Sequence, residues 1–219
     1  MGRYFEENYD LLRSRLAEMS DLVERVVDSS LAALKTRDVE RARRVIDEDE
    51  RIDTIEIEID ESVLRLLALQ QPMAIDLRFL MTALKVTNDL ERMGDQATNI
   101  ARGVIELSGQ QAPETPDLID FGPMGAAVVR MAKGAISAYA SGDVELAREI
   151  VRSDDQVDAM HRGILKSLAV HLRTHPEHAD RCLNLMLVTR NLERIADLAT
   201  NVGEEVVYYV EGKIIKHMH

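Results

Sequence analysis

The sequence predicts an all-α protein built as two tandem three-helix bundles that are related by internal duplication. Apolar residues recur at intervals of three and four over long stretches, whereas no period-two alternation runs long enough to predict a strand. The composition agrees, because 46% of the 219 residues are hydrophobic, 30% are charged and only 4% are aromatic. A pattern of residues in the first half of the chain also recurs in the second, which predicts two copies of one unit.

Six helices are predicted between the sparse glycines and prolines. We expect them at 4–36, 38–70, 73–107, 118–141, 143–173 and 176–212. Gly142 is predicted to end the fourth helix, and Asp143 to cap the fifth. Long helices with short connections bury their apolar stripes against one another, so each set of three is predicted to form an antiparallel bundle.

A linker is predicted between the two bundles. Residues 108–116 contain Ser108, Gly109, Pro113 and Pro116, which makes this stretch the strongest break in the helical pattern. The predicted domain boundaries are 1–108 for the first repeat, 109–117 for the linker and 118–219 for the second repeat.

The duplication can be counted directly. Residues 86–101 and 188–203 are identical at nine of sixteen positions at an offset of 102. Residues 38–53 and 143–158 are identical at seven of sixteen positions at an offset of 105. The offset changes in a turn between helices, where a change of length costs least.

Acidic pairs spaced i, i+4 recur at equivalent places in both halves. This spacing places two carboxylates on one helical face, where they repel each other unless a cation lies between them. An isolated acidic pair of this kind usually lies on the solvated surface and has no function. Here the pairs recur in both halves, whereas a neighbouring acid such as Asp47 is replaced in the second half, by Arg152. This difference favours a metal or ligand site. On a helical wheel the pairs lie opposite or beside the apolar stripes, so we expect a surface site. The candidate residues of this metal or ligand site are Asp49, Asp53, Glu91 and Asp95 in the first half and Asp154, Asp158, Glu193 and Asp197 in the second.

Other candidates carry weaker signals. Arg92 and Arg194 recur in a Leu-Glu-Arg trio, and they either pair with neighbouring acids or have a functional role. His161 follows Asp158 by three residues and could be a ligand, but its counterpart is Glu56. Cys182 lies in an apolar helical stretch and is predicted to be part of the core. No motif for nucleophilic or phosphate-loop chemistry is present, so the chain is predicted not to be an enzyme.

Charge and hydropathy exclude several classes of protein. The net charge of −12 argues against non-specific nucleic-acid binding. No apolar run reaches the roughly 20 residues that a membrane span needs, and the first residues lack the pattern of a signal peptide. A single cysteine fits a reducing compartment, and a cytoplasmic location is therefore expected.

Several motifs resemble the PhoU family of phosphate-transport accessory and regulatory proteins. They are the segment Gln-Pro-Met-Ala-Ile-Asp-Leu-Arg at 71–78, Lys85, the segment Asp-Leu-Glu-Arg-Met-Gly-Asp at 89–95, the Gly142-Asp143 helix junction and the closing Tyr-Tyr-Val-Glu-Gly-Lys-Ile at 208–214. The likeness covers nearly the whole chain, and these motifs together with the duplication make it specific.

This resemblance implies a metal site and a quaternary structure. Members of the family are pairs of three-helix bundles, often dimeric, whose acidic motifs bind iron, zinc, magnesium or manganese. By position, the implied ligands are the eight acids named above, and Asn99 and Asn201 are further candidates one turn on. The counterpart of Gly94 is Ala196, so the two halves need not bind metal alike.

The resemblance also implies partners and a function. The protein is expected to be an adaptor that contacts the ATP-binding subunit of the phosphate ABC transporter and the phosphate-sensing histidine kinase at the inner face of the membrane. It would keep the phosphate-starvation response off when phosphate is plentiful. Two alternatives stay open: an accessory protein of another phosphate permease, and a carboxylate-bridged metal storage or redox bundle, which usually needs a Glu-x-x-His motif that is absent from the matching places.

Overall fold

The computed structural model of the chain consists of long α-helices. It describes residues 3–70, 72, 75–109 and 119–215, with the side chains of all of these except residues 3–6 and 70, and no strand occurs in those ranges. The helices are α1 (Arg3–Thr36), α2 (Val39–Gln70), α3 (Ile75–Gly109), α4 (Gly122–Ser141), α5 (Val144–Thr174) and α6 (Ala179–Glu211), with a 3-10 turn at Pro176–His178 before α6.

The six helices pack as two three-helix bundles that lie side by side. Helices α1, α2 and α3 contact one another in the first bundle, and α4, α5 and α6 do so in the second. The bundles meet mainly along α3 and α6, with a further contact between α1 and α4. One continuous core runs through both halves and includes Leu90, Met93, Leu192 and Ile195, each at most 1% exposed. The predicted fold class is confirmed.

The helix ends follow the duplicated sequence. Gly142 ends α4 with a left-handed φ of 69°, and the Asp143 side chain accepts a hydrogen bond of 3.0 Å from the backbone N–H of Leu146. In the first half Asp38 does the same for α2, accepting at 2.9 Å from the N–H of Arg41. The counterpart of Gly142 is Arg37, which also has a positive φ of 53°. Both caps could be predicted from the sequence, because Asp38 and Asp143 are at equivalent positions in the two halves.

Two predicted helix starts are wrong. The fourth helix begins at Gly122 and not at 118, because Ile119 and Asp120 are not helical and the Asp120 carboxylate accepts the N–H of Gly122 at 2.8 Å. The sixth α-helix begins at Ala179, since residues 176–178 form the 3-10 turn. Most of the predicted linker lies outside the described residues, so the domain boundaries stay a prediction.

Two further sequence expectations can be compared with the described residues. Cys182 is fully buried in a small apolar cluster with Leu107, Leu168 and Leu185, as its setting predicted. None of the described helices combines the length and the apolar character that crossing a lipid bilayer requires.

Candidate functional site

The predicted acidic residues lie in two surface grooves, one in each bundle. Helices α2 and α3 carry the first set, and α5 and α6 carry the second. The acids of α3 and α6 point away from stripes of buried apolar residues such as Leu90 and Leu192, as the helical wheel predicted. Five of the eight acids are half-buried, and the other three, Asp53, Asp95 and Asp197, are exposed. The grooves are therefore at the surface but shielded in part from water.

In the first groove, the carboxylates of α2 and α3 lie close enough to raise one another's pKa values. Loss of hydration and then the charges of Asp95 and Asp53 raise the pKa of Asp49. The pKa of Glu91 is raised to about 7, first by burial and then by Asp95, Glu56 and Asp53. Asp49 and Asp53 are on α2 whereas Glu91 and Asp95 are on α3, so the structure brings the two predicted pairs together into one cluster.

The second groove repeats this arrangement. Burial and then the charge of Asp158 raise the pKa of Asp154. The pKa of Asp197 is raised to about 6 by loss of hydration and by Glu193, Asp154 and Asp158, while Arg194 opposes the rise. Asp197 is exposed as a residue, yet its carboxyl group faces the groove, which explains why desolvation is the leading cause.

The two clusters differ in their basic neighbours. In the second groove His161 Nδ1 lies 3.7 Å from Glu193 Oε1, and Arg162 donates to Asp158 at 2.9 Å. The counterpart of His161 is Glu56, whose own pKa is raised by burial and by Asp60. The first groove thus concentrates more negative charge, whereas the second offers an imidazole as a potential ligand.

Sequence reasoning missed a pair of threonines. The hydroxyls of Thr98 and Thr200 lie beside the carboxylates of Asp49 and Asp154 and lower their pKa values. The contact of the Thr200 hydroxyl with Asp154 does not have the geometry of an ordinary hydrogen bond, since the buried Oγ1 has no hydrogen-bond partner. The signal was present, because both threonines are identical residues in the duplicated segment.

Two residues next to the acids set the shape of the first groove. A Cβ at Gly94 would lie 2.7 Å from Ile52 Cδ1 and 3.9 Å from Asp49 Oδ1, so glycine lets α3 approach α2 at the cluster. The side-chain oxygen of Asn99, a candidate ligand, accepts from Arg102 at 3.2 Å. The Asn99 oxygen is therefore already engaged within its own helix.

The donor set has the chemistry of a site for hard metal ions. Carboxylate and amide oxygens on adjacent helical turns suit magnesium, manganese and iron, and an imidazole widens the range to zinc. Burial and the neighbouring acids raise the pKa values of Glu91 and Asp197, and a cation bound among these carboxylates would lower them. Yet no three His, Cys, Asp or Glu side chains in the described part of the chain are arranged to hold one ion, so binding needs side-chain rotation or ligands from outside the chain.

Replacing Glu91 by Gln is expected to stabilise the metal-free protein more at pH 8 than at pH 5. The folded pKa of about 7 exceeds the ordinary value of 4.5, so the folded state binds more protons and loses stability as pH rises between these values. Glutamine carries no charge and escapes this loss. Thermal unfolding in the presence of a chelator at both pH values measures it, with the exposed Glu48→Gln as control; an equal gain at both pH values would contradict the prediction.

Comparison with known proteins places this geometry in a family. The family model named PhoU domain matches residues 16–104 and 122–206, one match in each bundle. The chain belongs to the PhoU family. The PhoU homolog of Pseudomonas putida, named a phosphate-specific transport system accessory protein, is 34% identical over 218 residues, which cover 100% of this chain and 85% of the relative. The protein of that name from Escherichia coli K12 is 31% identical over 214 residues, covering 98% of this chain and 88% of the relative.

Solved structures support the same assignment. The crystal structure of PhoU from Pseudomonas aeruginosa matches with a TM-score of 0.91 at 35% identity and covers 95% of this chain and 100% of that one. The phosphate transport system regulatory protein PhoU from Streptococcus pneumoniae matches with a TM-score of 0.87 at 27% identity, covering 97% and 99%. The family resemblance inferred from the motifs is confirmed.

Proposed function

We propose that this chain is an accessory protein of phosphate-specific transport. In this role it is a cytoplasmic adaptor, peripheral to the inner membrane face, between the ATP-binding subunit of the phosphate ABC transporter and the phosphate-sensing histidine kinase. It acts as a negative regulator, keeping the phosphate-starvation response off while phosphate is plentiful. We also propose that it works as a homodimer and has no catalytic activity.

The observation that carries this proposal is likeness over the whole length of the chain to proteins named for phosphate transport. The relatives align with both bundles and not with a single shared domain. The acidic surface, with a net charge of −12, supports binding to basic patches on partners, and such binding weakens as salt rises.

Affinity capture tests the adaptor role. The full-length chain, immobilised at low salt, is expected to retain the purified ATP-binding subunit and the kinase, and to release both as salt is raised. Deletion of the gene should switch on phosphate-starvation genes in phosphate-rich medium. Capture of neither partner, together with unchanged gene expression, would contradict the proposal. Capture of a different phosphate permease would favour the alternative accessory role.

We propose further that each groove binds metal through its four acids, with iron, zinc, magnesium or manganese as candidate ions. The surface position of both clusters favours a role at a partner interface over storage or redox chemistry, which di-iron bundles perform with ligands that project into the bundle core. Asn99, Asn201 and His161 lie on the same helices within two turns of the acids and could supply additional ligands.

Removing the metal is expected to destabilise the wild type and not a variant that carries Asp95→Asn and Asp197→Asn. A bound ion at 100 times its dissociation constant stabilises a folded protein by about 2.7 kcal/mol, and loss of a carboxylate ligand removes that gain. Thermal unfolding with and without chelator, together with metal analysis, measures both effects. The matched control is Asp47→Asn, an exposed acid on α2 two residues from Asp49. Equal metal content in the double variant and the wild type would contradict the ligand assignment.

A further inference from the structure

A cavity in the second groove combines groups for binding a cation with groups for binding an anion. Its volume is about 300 Å³. Most of its lining comes from α5 and α6, but α3 of the first bundle contributes an arginine. The polar lining consists of two guanidinium groups, two carboxylates, a hydroxyl and an amide: Arg92, Arg194, Asp154, Asp197, Thr200 and Asn201.

The arginine from the first bundle reaches this cavity because α3 and α6 run antiparallel. Lys85 near the start of α3 pairs with Glu205 near the end of α6 at 3.0 Å. Glu106 near the end of α3 accepts from Asn184 near the start of α6 at 2.8 Å. Arg92 therefore lies beside the Asp197 region of α6, so the cavity is a joint product of the two repeats.

The hydrogen-bond donors of the cavity are poorly satisfied within the protein. Arg194 acts on Asp197 only through longer-range attraction and takes part in no ion pair or hydrogen bond among the described residues. Arg92 has one long contact, 3.4 Å to Asp89. Thr200 is only 9% exposed, and its Oγ1 has no hydrogen-bond partner. Water can reach both arginine side chains, so their N–H groups are available to bind an anion in the cavity.

The carboxylates of the cavity are unsatisfied as well. Asp154 and Asp197 both line the cavity, and neither residue forms an ion pair within the described ranges. Two carboxylates are too few to complete the shell of a hard metal ion, which takes six or more oxygens. Glu193 and Asp158 also lie near Asp197, but no three His, Cys, Asp or Glu side chains in the described part of the chain are arranged to hold one ion. The remaining ligands must come from water or from a bound molecule.

A tetrahedral oxyanion satisfies both sets of groups at once. Its oxygens can complete the shell of an ion held by the carboxylates, and guanidinium groups bind the outer oxygens in the bidentate geometry that suits phosphate. We propose that this cavity binds a metal ion together with an oxyanion of the phosphate class, the ion on Asp154 and Asp197 and the anion on Arg92 and Arg194. This inference rests on the proposed metal site. It gives that site a second ligand, so that its occupancy would depend on the phosphate concentration.

Binding of the two ligands is then mutually dependent. The ion offsets the repulsion between the anion and the carboxylates, and the anion supplies oxygens to the ion. By linkage, metal strengthens phosphate binding by the same factor by which phosphate strengthens metal binding.

Titration calorimetry tests the inference with inorganic phosphate and manganese as probes on the full-length chain. Manganese should tighten phosphate binding by roughly tenfold or more, within the range of measured couplings. Arg92→Gln and Arg194→Gln should lose this coupling and keep manganese binding. Arg190→Gln, an exposed arginine one turn before Arg194 on the same helix, should behave like the wild type. Circular dichroism and thermal unfolding confirm that each variant is folded.

The outcomes separate this inference from the proposed metal site. Phosphate affinity that is the same with and without manganese overturns the inference alone, as does unchanged coupling in both arginine variants. A wild type that binds no manganese, iron, zinc or magnesium overturns the metal site and the inference together. Equal coupling with sulfate would assign the cavity to oxyanions in general and overturn the preference for phosphate.

Discussion

Replacing Lys85 by Met is expected to lower the free energy of unfolding by about 3 kcal/mol, the lower end of the range for a broken buried ion pair. Lys85 Nζ donates to both oxygens of Glu205, at 3.0 and 3.1 Å. The Glu205 side chain is only 4% exposed, so the variant leaves a buried carboxylate without the compensating charge of Lys85. The Lys85 side chain is half-exposed, so water can approach the Glu205 carboxylate in the variant, and we therefore expect the loss of stability at the lower end of the range.

An exposed lysine that also contacts two carboxylate oxygens provides the control. Lys133 pairs with Glu24 at 2.9 Å and Asp28 at 2.6 Å, and all three side chains are more than a third exposed. Lys133→Met should cost less than about 1 kcal/mol, as exposed ion pairs do. Denaturant unfolding of both variants gives the comparison.

A double variant identifies the cause. Replacing Lys85 and Glu205 together by Met should recover most of the lost stability, because an apolar pair leaves no buried charge. Equal losses for Lys85→Met and Lys133→Met, or no recovery in the double variant, would contradict a buried-charge penalty. The pair also joins α3 to α6, so its loss should weaken the contact that holds the two grooves in their relative positions.

The sequence was sufficient to predict the fold but not the contact between bundles. The six helices and the duplicated Asp caps follow from periodicity and local hydrogen bonding, which depend on nearby residues. The Lys85–Glu205 pair spans 120 positions, and the counterparts of its members are Leu187 and Gly103. No repeat signal could therefore reveal it. The start of α4 was misplaced because the Asp120 side chain bonds to the chain just before the helix, which periodicity does not record.

Part of the candidate site could also be predicted. The eight acids were identified because they recur at i, i+4 in both halves, and the structure brings each half's four together. Thr98 and Thr200 were overlooked, since a threonine in a helix is usually assigned to packing. The approach of Arg92 to the second groove depends on how α3 crosses α6 and could not follow from the sequence. Glu56 and His161 were recognised as counterparts, but the 3.7 Å approach of His161 to Glu193 could be seen only in the structure.

The duplicated halves differ at the groove edges. The core positions and the acid pairs are kept, whereas His161 and Arg162 in the second half replace Glu56 and Ile57 in the first. The added basic side chains reduce the repulsion among the carboxylates of the second cluster, so an anion can bind there beside a cation at a smaller electrostatic cost. The first groove, with more negative charge, should bind a cation with less need for a co-ligand. Two copies of one bundle thus provide two acidic grooves with different electrostatic properties.

Replacing Gly203 by Leu is expected to destabilise the second bundle by about 1–3 kcal/mol, the usual cost of overpacking. A Cβ at this position would lie 3.0 Å from the backbone oxygen of Ala147 on α5 and 3.3 Å from Val151 Cγ2. Backbone atoms cannot rotate away, so α5 must move off α6. Because α5 carries Asp154 and α6 carries Asp197, the variant should also lose metal affinity in the second groove.

The same substitution at Gly163 separates crowding from helix propensity. A Cβ there would meet no atom within 4 Å, so Gly163→Leu should gain stability by roughly 0.5–1 kcal/mol, because leucine is a better helix former than glycine. Opposite signs for the two variants in thermal unfolding, with metal binding reduced only in Gly203→Leu, are the expected result. If both variants gained stability, the close approach of α5 and α6 would not be what positions the second cluster, and the acids would have to be held in place by their own helices alone.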